Sequence, residues 1–550
     1  MVVYTPPLDF VRGSIRWRIV SVSLQESIMT MNSVRIRNLG VGFVVLAIVG
    51  ATIPACSATA RSPKAIPSTT LGGTLSVAAL GLPATQGNPF GSFNGPSIQI
   101  DPAFFDTLTT GAPGTLQPDL ALSWELIGTK TWRFTLRHGV KFSDGETFNA
   151  AAAAFTFNYL ASAAGRATNV GSTILDLGSA SVVSQYVLDL NMTRPDPIVP
   201  QEVDQVFIVA PKAWQREGPT RFGIAPVGTG PYQVTNWGPT TVTLKRFAEA
   251  WRPGHYRNVT YTAIADPNAA YQALVSGQVQ VLYALSFQQL QTIKANRNLK
   301  SYSVPSGNTV ALQFVTSPGS PIMNRSVRVA MNEAINRSLM QKSLFHGLIK
   351  AADQYIPAGI PGNDPQLPPI AYNPTAAKAA IAAAGYPHGF SLTLTSPAPV
   401  IPGNSEALQL VQAELAAVGV TITFNTIPYA VWLPHLLAGK FPGSQLTQIQ
   451  AQITPSFDGA NPLSKTTCAS PTPAVWCEPA NNQAGLITKA ESELSLTTRT
   501  QLLAQVAKAQ RTDPSVIPLF ESPNTLGVST KVAVSYEPIG TINWSTVAPA

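Results

Sequence analysis

Two periodicities alternate along this chain. Trp132, Phe134 and Leu136 alternate with Arg133, Thr135 and Arg137, a period of two that predicts a half-buried strand. Val242 and Leu244 alternate with Thr241, Thr243 and Lys245 in the same way. Gly72-Gly73-Thr74-Leu75-Ser76-Val77 reads as an earlier strand entered from a turn. His138-Gly139 can turn the chain, so Val140 and Phe142 are expected to begin a return strand ending at Ser143-Asp144-Gly145. Farther on, the period lengthens. Asn324 can cap a helix with Val327, Ala330, Met331, Ala334, Ile335 and Leu339 on one face. Asn373-Pro374 reads as a cap with proline at the first helical position, and Gly385 as the residue past the end. Leu392 and Leu394 mark a strand. Leu408, Val411, Leu415 and Val418 form a helical stripe that stops at Gly419, and Val420, Ile422 and Phe424 alternate as the next strand. Helix, strand, helix and strand joined by short connections predict α/β layering, with the apolar stripes as core.

Composition narrows the class. Of 550 residues, 45% are hydrophobic and only 12% charged, so there is ample apolar surface for a globular core. The length predicts about two to four domains. The 47 prolines and 40 glycines have no period and indicate loops, not a fibre. A net charge of +8 raises the question of nucleic acid. Five of the basic residues (Arg12, Arg16, Arg18, Arg35 and Arg37) lie before Cys56, opposed only by Asp9 and Glu26. No later cluster of Lys and Arg could neutralise several phosphates, so no nucleic-acid partner is expected.

The first residues read as an address. Arg35 and Arg37 precede an apolar stretch from Leu39 to about Ala51, followed by Ile53-Pro54-Ala55-Cys56. A positive region, an apolar region and small residues before a cleavage point make a secretory signal. The apolar stretch is too short and glycine-interrupted for a membrane span. Residues 1–30 do not fit a signal, which places the true start near Met29 or Met31. The cleavage site resembles a bacterial lipobox, with Pro54 departing from it, and the resemblance implies lipidation of Cys56. Residues 1–55 are then leader and 56–70, rich in Ser, Ala, Thr and Pro, a tether. Ordinary cleavage and release is the alternative. Cys468 and Cys477 lie close together in a chain bound for an oxidising compartment, so a disulfide is expected; two zinc ligands would need a second ligand pair nearby.

Little supports an enzyme. The five histidines (His138, His255, His346, His388 and His435) lack metal-ligand spacing such as H-x-x-x-H, and there is no G-x-S-x-G. No cofactor or metal is expected.

Five segments, in order, carry a resemblance. Leu116-Gln117-Pro118-Asp119-Leu120-Ala121-Leu122-Ser123-Trp124-Glu125, Trp132 to Gly145, Pro226-Val227-Gly228-Thr229-Gly230-Pro231-Tyr232, Arg325 to Arg337, and Pro514 to Phe520 resemble segments of the oligopeptide- and nickel-binding solute-binding proteins, bacterial family 5. The likeness runs from about Gly72 to Phe520. Two stretches depart from it: Asn149 is followed by Ala150 to Ala154, and Gly277-Gln278-Val279-Gln280 lacks an acid. Gly228 and Gly230 are read as permitting positive φ in a tight turn.

The resemblance implies an α/β, two-lobed clamp of the periplasmic-binding-protein type with an additional third domain. Lobe I would comprise 71–107, 223–305 and 521–550, the extra domain 108–222, and lobe II 306–520. It implies a monomer on the outer face of the cell membrane that hands a small peptide to the permease subunits of an ABC importer. Another small organic or glycan ligand, a nickel chelate or haem remain alternatives, with His435 and His346 the first histidines to test. The family's ligand-pairing aspartate falls on Pro455 or Ser456, so Asp458 nearby is a candidate contact or a loop cap. Asn88, Phe90, Phe104, Phe105, Phe457 and Trp476 are further candidates, with core packing the default for each aromatic.

Overall fold

The computed structural model describes residues 71–550 except 92–94, 112–115, 175, 399–402, 452–455, 457, 470–473, 478–482 and 538–539. The leader, the tether, Cys56 and Phe457 lie outside the described residues.

Most of the predicted strands assemble into one large mixed sheet. Its strands run in the order Val420–Ile427, Phe390–Pro397, Leu446–Ala451, Leu299–Phe314, Val516–Ser529, Val281–Tyr283, Gly72–Ala79, Tyr256–Ala263, Thr241–Arg246 and Tyr232–Trp237. Lys350–Ala351 adds a short strand beside Val516–Ser529. Phe390–Pro397 and Val420–Ile427 are parallel neighbours linked by the helix Asn404–Ala417, as the helix–strand alternation predicts. At the other end Gly72–Ala79 lies parallel to both Tyr256–Ala263 and Val281–Tyr283.

Two long strands join these ends. Leu299–Phe314 runs antiparallel to Val516–Ser529, and the register shifts between Pro305 and Asn308, opposite Pro523 and Ser522. Gly307 takes φ +73° there, a left-handed conformation that costs glycine little. Ser306 Oγ donates to Ser522 O, and Asn308 N donates back to Ser306 Oγ at 3.1 Å. A bulge kinks a sheet while keeping its backbone bonded.

A separate four-stranded antiparallel sheet has the order Ala121–Ile127, Thr131–Leu136, Val187–Met192, Leu177–Ser184. Helix Ala150–Ala161 packs on it, and Asn149 Oδ1 caps it by accepting from the N–H groups of Ala151 and Ala152. Asn158 then pins the helix to the edge strand through two bonds with the backbone of Ala180.

Three expectations need correction. Val140 and Phe142 do not pair back on Trp132–Leu136, whose neighbours are Ala121–Ile127 and Val187–Met192. Both side chains are fully buried, and the Ser143-Asp144-Gly145 turn is closed locally, by the bridge Lys141–Thr147 and by Gly145 N donating to Phe142 O. Core packing outcompeted the local hairpin. The helix capped by Asn324 stops at Glu333, so Leu339 leaves the apolar face and is 42% exposed. Finally, neither Gly228 nor Gly230 has positive φ. Both are glycine because a Cβ would lie 2.1 Å from Phe104 O and 2.6 Å from Phe104 C, respectively.

Candidate functional site

Most of the motif residues build scaffold, and their chemistry explains their spacing. Asp106 and Asp119 are buried acids that converge on one guanidinium. Asp106 accepts from Thr229 Oγ1 at 2.8 Å, Trp251 Nε1 at 2.9 Å and Arg252 Nε at 3.2 Å. Arg252 Nη2 also pairs with Asp119 at 3.0 Å. Arg137 stacks 4.2 Å from the Trp251 ring and donates to Asp119 O at 3.1 Å. Asp119, Arg137 and Thr229 come from three different motifs, so those motifs meet in one buried network. Burial raises the Asp119 carboxyl to about 7, opposed by the Arg252 charge.

A second network joins the last two motifs. Arg328 donates to Pro514 O, Ile322 O and Met323 O, pairs with Asp513, and lies 4.5 Å over the Trp476 ring. Asn332 reaches Val516 O, and Arg337 Nε reaches Pro518 O at 2.8 Å. The Arg325–Arg337 motif thereby holds alternate carbonyls of the Pro514–Phe520 segment. Arg337 is buried with no carboxylate paired to it among the described residues, and burial lowers it to about 10.

Most of the sequence-based candidates are buried. Phe90 packs on Tyr159 and Trp214, Phe104 on Trp237, and Phe105 on Phe207 and Phe222; all three are buried core rings. Trp476 is 1% exposed, enclosed by Phe314 and Arg328. Asn88 turns its loop by accepting the N–H of Phe90. Asp458 receives both Nε and Nη2 of Arg499, at 2.8 and 2.7 Å, and caps Ala460 N. Its carboxylate is thus committed to the fold, which is the loop-capping alternative.

Cys468 and Cys477 form a disulfide with Cα atoms 4.7 Å apart. It closes the segment that carries Trp476, and Cys477 N is bonded to Thr316 Oγ1. The double variant Cys468→Ser/Cys477→Ser should lose about 2–3 kcal/mol in urea unfolding, since the cross-link restricts the unfolded chain.

In an open α/β sheet, ligands bind beyond the carboxyl ends of the strands. Neutral hydrogen-bonding groups, mostly buried and paired with one another, lie along these strands. Gln448, inside the strand Leu446–Ala451, and Asn404, at the start of the helix after Phe390–Pro397, exchange two amide bonds at 2.9 and 2.8 Å. Asn425 Nδ2 donates to Thr395 Oγ1 at 3.1 Å, and Trp432 Nε1 to Thr447 Oγ1 at 3.0 Å. At the other end of the sheet Tyr261 OH bonds Gln99 Oε1 at 3.0 Å, and Trp544 Nε1 bonds Gln99 O at 3.1 Å. Asp101, raised well above the usual carboxylate range by burial, lies in the same region. Between the two, at the register shift, Asn308 Oδ1 and Thr309 Oγ1 are buried with no hydrogen-bond partner among the described residues. Buried polar atoms are ordinarily paired, so such atoms mark places for water or a ligand. Sequence pattern missed these groups because single Thr, Asn and Gln residues carry no motif.

Residues 115–469 match the family described as bacterial extracellular solute-binding proteins, family 5 Middle. The chain belongs to this family. Its α/β architecture is the periplasmic-binding-protein clamp of family 5. The glutathione-binding protein GsiB of Escherichia coli (strain K12) is 30% identical over 315 residues, covering 53% of this chain and 57% of GsiB. GsiB of Salmonella typhimurium is 30% identical over 306 residues, with the same coverage. The match thus spans a little over half the length of these relatives. The periplasmic binding protein DppA of Helicobacter pylori, solved with the peptide STSA, superposes with a TM-score of 0.73 at 20% identity, covering 87% of this chain and 98% of DppA. NikA of Staphylococcus aureus, solved with Ni(L-His)2, gives 0.71 at 18% identity, covering 87% of this chain and 100% of NikA. Both structures share the fold. Among the described residues, no helix is long and apolar enough to cross a membrane, and no three His, Cys, Asp or Glu side chains could together hold a metal.

Proposed function

We propose that this protein is the substrate-capture component of an ABC importer and binds a short peptide between its two lobes. The observation that carries this reading is the pair of buried polar atoms at the register shift between the two halves of the sheet, Asn308 Oδ1 and Thr309 Oγ1, which have no hydrogen-bond partner among the described residues. Such groups match the alternating donors and acceptors of a peptide backbone, and water can fill the space around varied side chains. GsiB, which binds glutathione, and DppA, solved with a tetrapeptide, support the choice of ligand class.

The lobes divide at the register shift, with 306–520 on one side and 71–107, 223–305 and 521–550 on the other. The segment 108–222 forms the added domain around its own sheet. Closing two such lobes removes water and strengthens every hydrogen bond to the ligand. A closed, occupied form gives the permease subunits a shape to recognise. Export with lipidation of Cys56 would keep a monomer on the outer face of the membrane. Several acyl chains, at ~0.8 kcal/mol per buried methylene, suffice for that.

Native mass spectrometry of the full chain, before and after denaturation, tests the ligand. Release of short peptides on unfolding is the expected result. Release of a nickel chelate or a porphyrin would replace the peptide with that ligand.

A further inference from the structure

One buried acid has no counterpart in the scaffold networks. The strand Gly72–Ala79 runs parallel to both Tyr256–Ala263 and Val281–Tyr283, so the carboxyl ends of all three share one side of the sheet. That is the side on which open α/β sheets bind ligands. The short helix Gly95–Ile100 lies over it, and three aromatic side chains fix its Gln99. Tyr261 OH donates to Gln99 Oε1 at 3.0 Å, while Trp544 Nε1 and Tyr283 OH donate to Gln99 O at 3.1 and 3.5 Å.

Asp101 follows in the turn Asp101–Ala103 and is 1% exposed. Its Oδ1 has no hydrogen-bond partner among the described residues. Its charge acts on the Tyr261 hydroxyl, so the carboxyl stands beside the same aromatic wall. Ile98, Gln99 and Pro102 around it are only half-buried, which brings this turn to the surface of its lobe. Ala284, directly after Val281–Tyr283, takes φ +64° while its N–H donates to Thr525 O at 3.0 Å. A non-glycine residue adopts left-handed backbone at a cost, and such residues gather at ligand sites.

Other buried acids carry their own cations: Asp106 and Asp119 share Arg252, and Asp458 holds Arg499. No basic side chain among the described residues lies against Asp101, and burial alone raises its carboxyl well above the usual carboxylate range. A buried carboxyl is costly unless it is paired. A cation carried in by a ligand supplies the missing partner, and a charge-assisted hydrogen bond is strong where aromatic walls replace water.

We propose that Asp101 is a cation receptor in lobe I, whose carboxylate takes an ammonium group of the captured ligand, in a peptide the free amino terminus. The place of the receptor rests on the two-lobed clamp, and the peptide as its ligand rests on the capture reading above.

Three probes test it by calorimetric titration of the full chain: tetra-alanine, N-acetyl-tetra-alanine and putrescine, a diamine that is not a peptide. The wild type should bind tetra-alanine about 10–100-fold more tightly than the acetylated form, the range expected for a hydrogen bond to a charged group. Asp101→Asn keeps the shape and removes the charge. It should lose that factor for tetra-alanine and leave the acetylated peptide unchanged, a selective effect that a merely structural acid would not produce. Asp101→Ser serves if the asparagine variant fails to fold by circular dichroism. Equal binding of the two peptides by the wild type, or a folded variant that keeps the preference, would overturn the receptor and leave peptide capture standing. Loss of fold in both variants would make Asp101 a structural acid and also overturn it. Putrescine bound by the wild type and lost in Asp101→Asn, with neither peptide bound, would keep the receptor and replace the peptide with an amine. No binding of any probe would overturn both.

Discussion

Arg252→Met should destabilise the protein by about 3–5 kcal/mol, the usual cost of removing one partner from a buried ion pair. Arg252 is the cation shared by Asp106 and Asp119, which sit in the protein interior. Methionine fills much of the volume over Trp251 but removes the cation paired with both carboxylates, leaving only the charge of Arg137 acting on Asp119. Thr229, Trp251 and Thr107 would still donate hydrogen bonds to them. Those bonds do not replace the lost charge. The loss should depend on pH. In the wild type Arg252 already opposes the burial that raises Asp119 to about 7. Without Arg252 that carboxyl titrates higher still, so the folded variant holds protons that the unfolded chain releases. Its stability then falls as pH rises through neutrality. Urea midpoints at pH 5 and pH 8 should show the larger deficit at pH 8. An equal, small deficit at both would mean that the aromatic and hydroxyl donors suffice.

Arg328→Leu should have a comparable effect, again about 3–5 kcal/mol. The guanidinium is buried and satisfies three backbone carbonyls while pairing with Asp513. Leucine abandons all of them. It also removes the cation over Trp476, a contact worth about 2 kcal/mol when desolvated. The observable consequence reaches beyond stability. Trp476 precedes Cys477, and its position depends on the Arg328 face. Hydrogen exchange should therefore quicken at Val475–Cys477 and at Pro514–Val516 in the variant, even in dilute buffer where it remains folded. Protection unchanged at both segments would show that the disulfide and Phe314 hold Trp476 by themselves.

Much of the fold was legible because its signals are local. Alternation in Thr131–Leu136 and Thr241–Arg246, and the Asn373-Pro374 cap, report backbone period and orphan N–H groups within a few residues. The misreadings came where a distant partner overrode a local preference. Val140 and Phe142 left their hairpin because the interior takes both side chains. Gly228 and Gly230 are glycine because Phe104, more than a hundred residues away in the chain, approaches them, not because the turn demands left-handed backbone.

For the site the division is sharper. Five ordered motifs were enough to place the chain in its family, since each preserves one part of a buried network. Aromatic residue type could not separate a cleft wall from a core, and Phe90, Phe104, Phe105 and Trp476 proved to be core. The same holds for Asp458, whose partner Arg499 lies 41 residues away. By itself the sequence determined which residues are apolar, which turns are possible and which family the motifs resemble. Only tertiary structure decided which polar groups are already satisfied: Asp458 by Arg499, and Asp106 by Arg252. Hydrogen bonds and ion pairs form between atoms a few ångströms apart, and sequence order does not encode that distance for residues brought together by the fold.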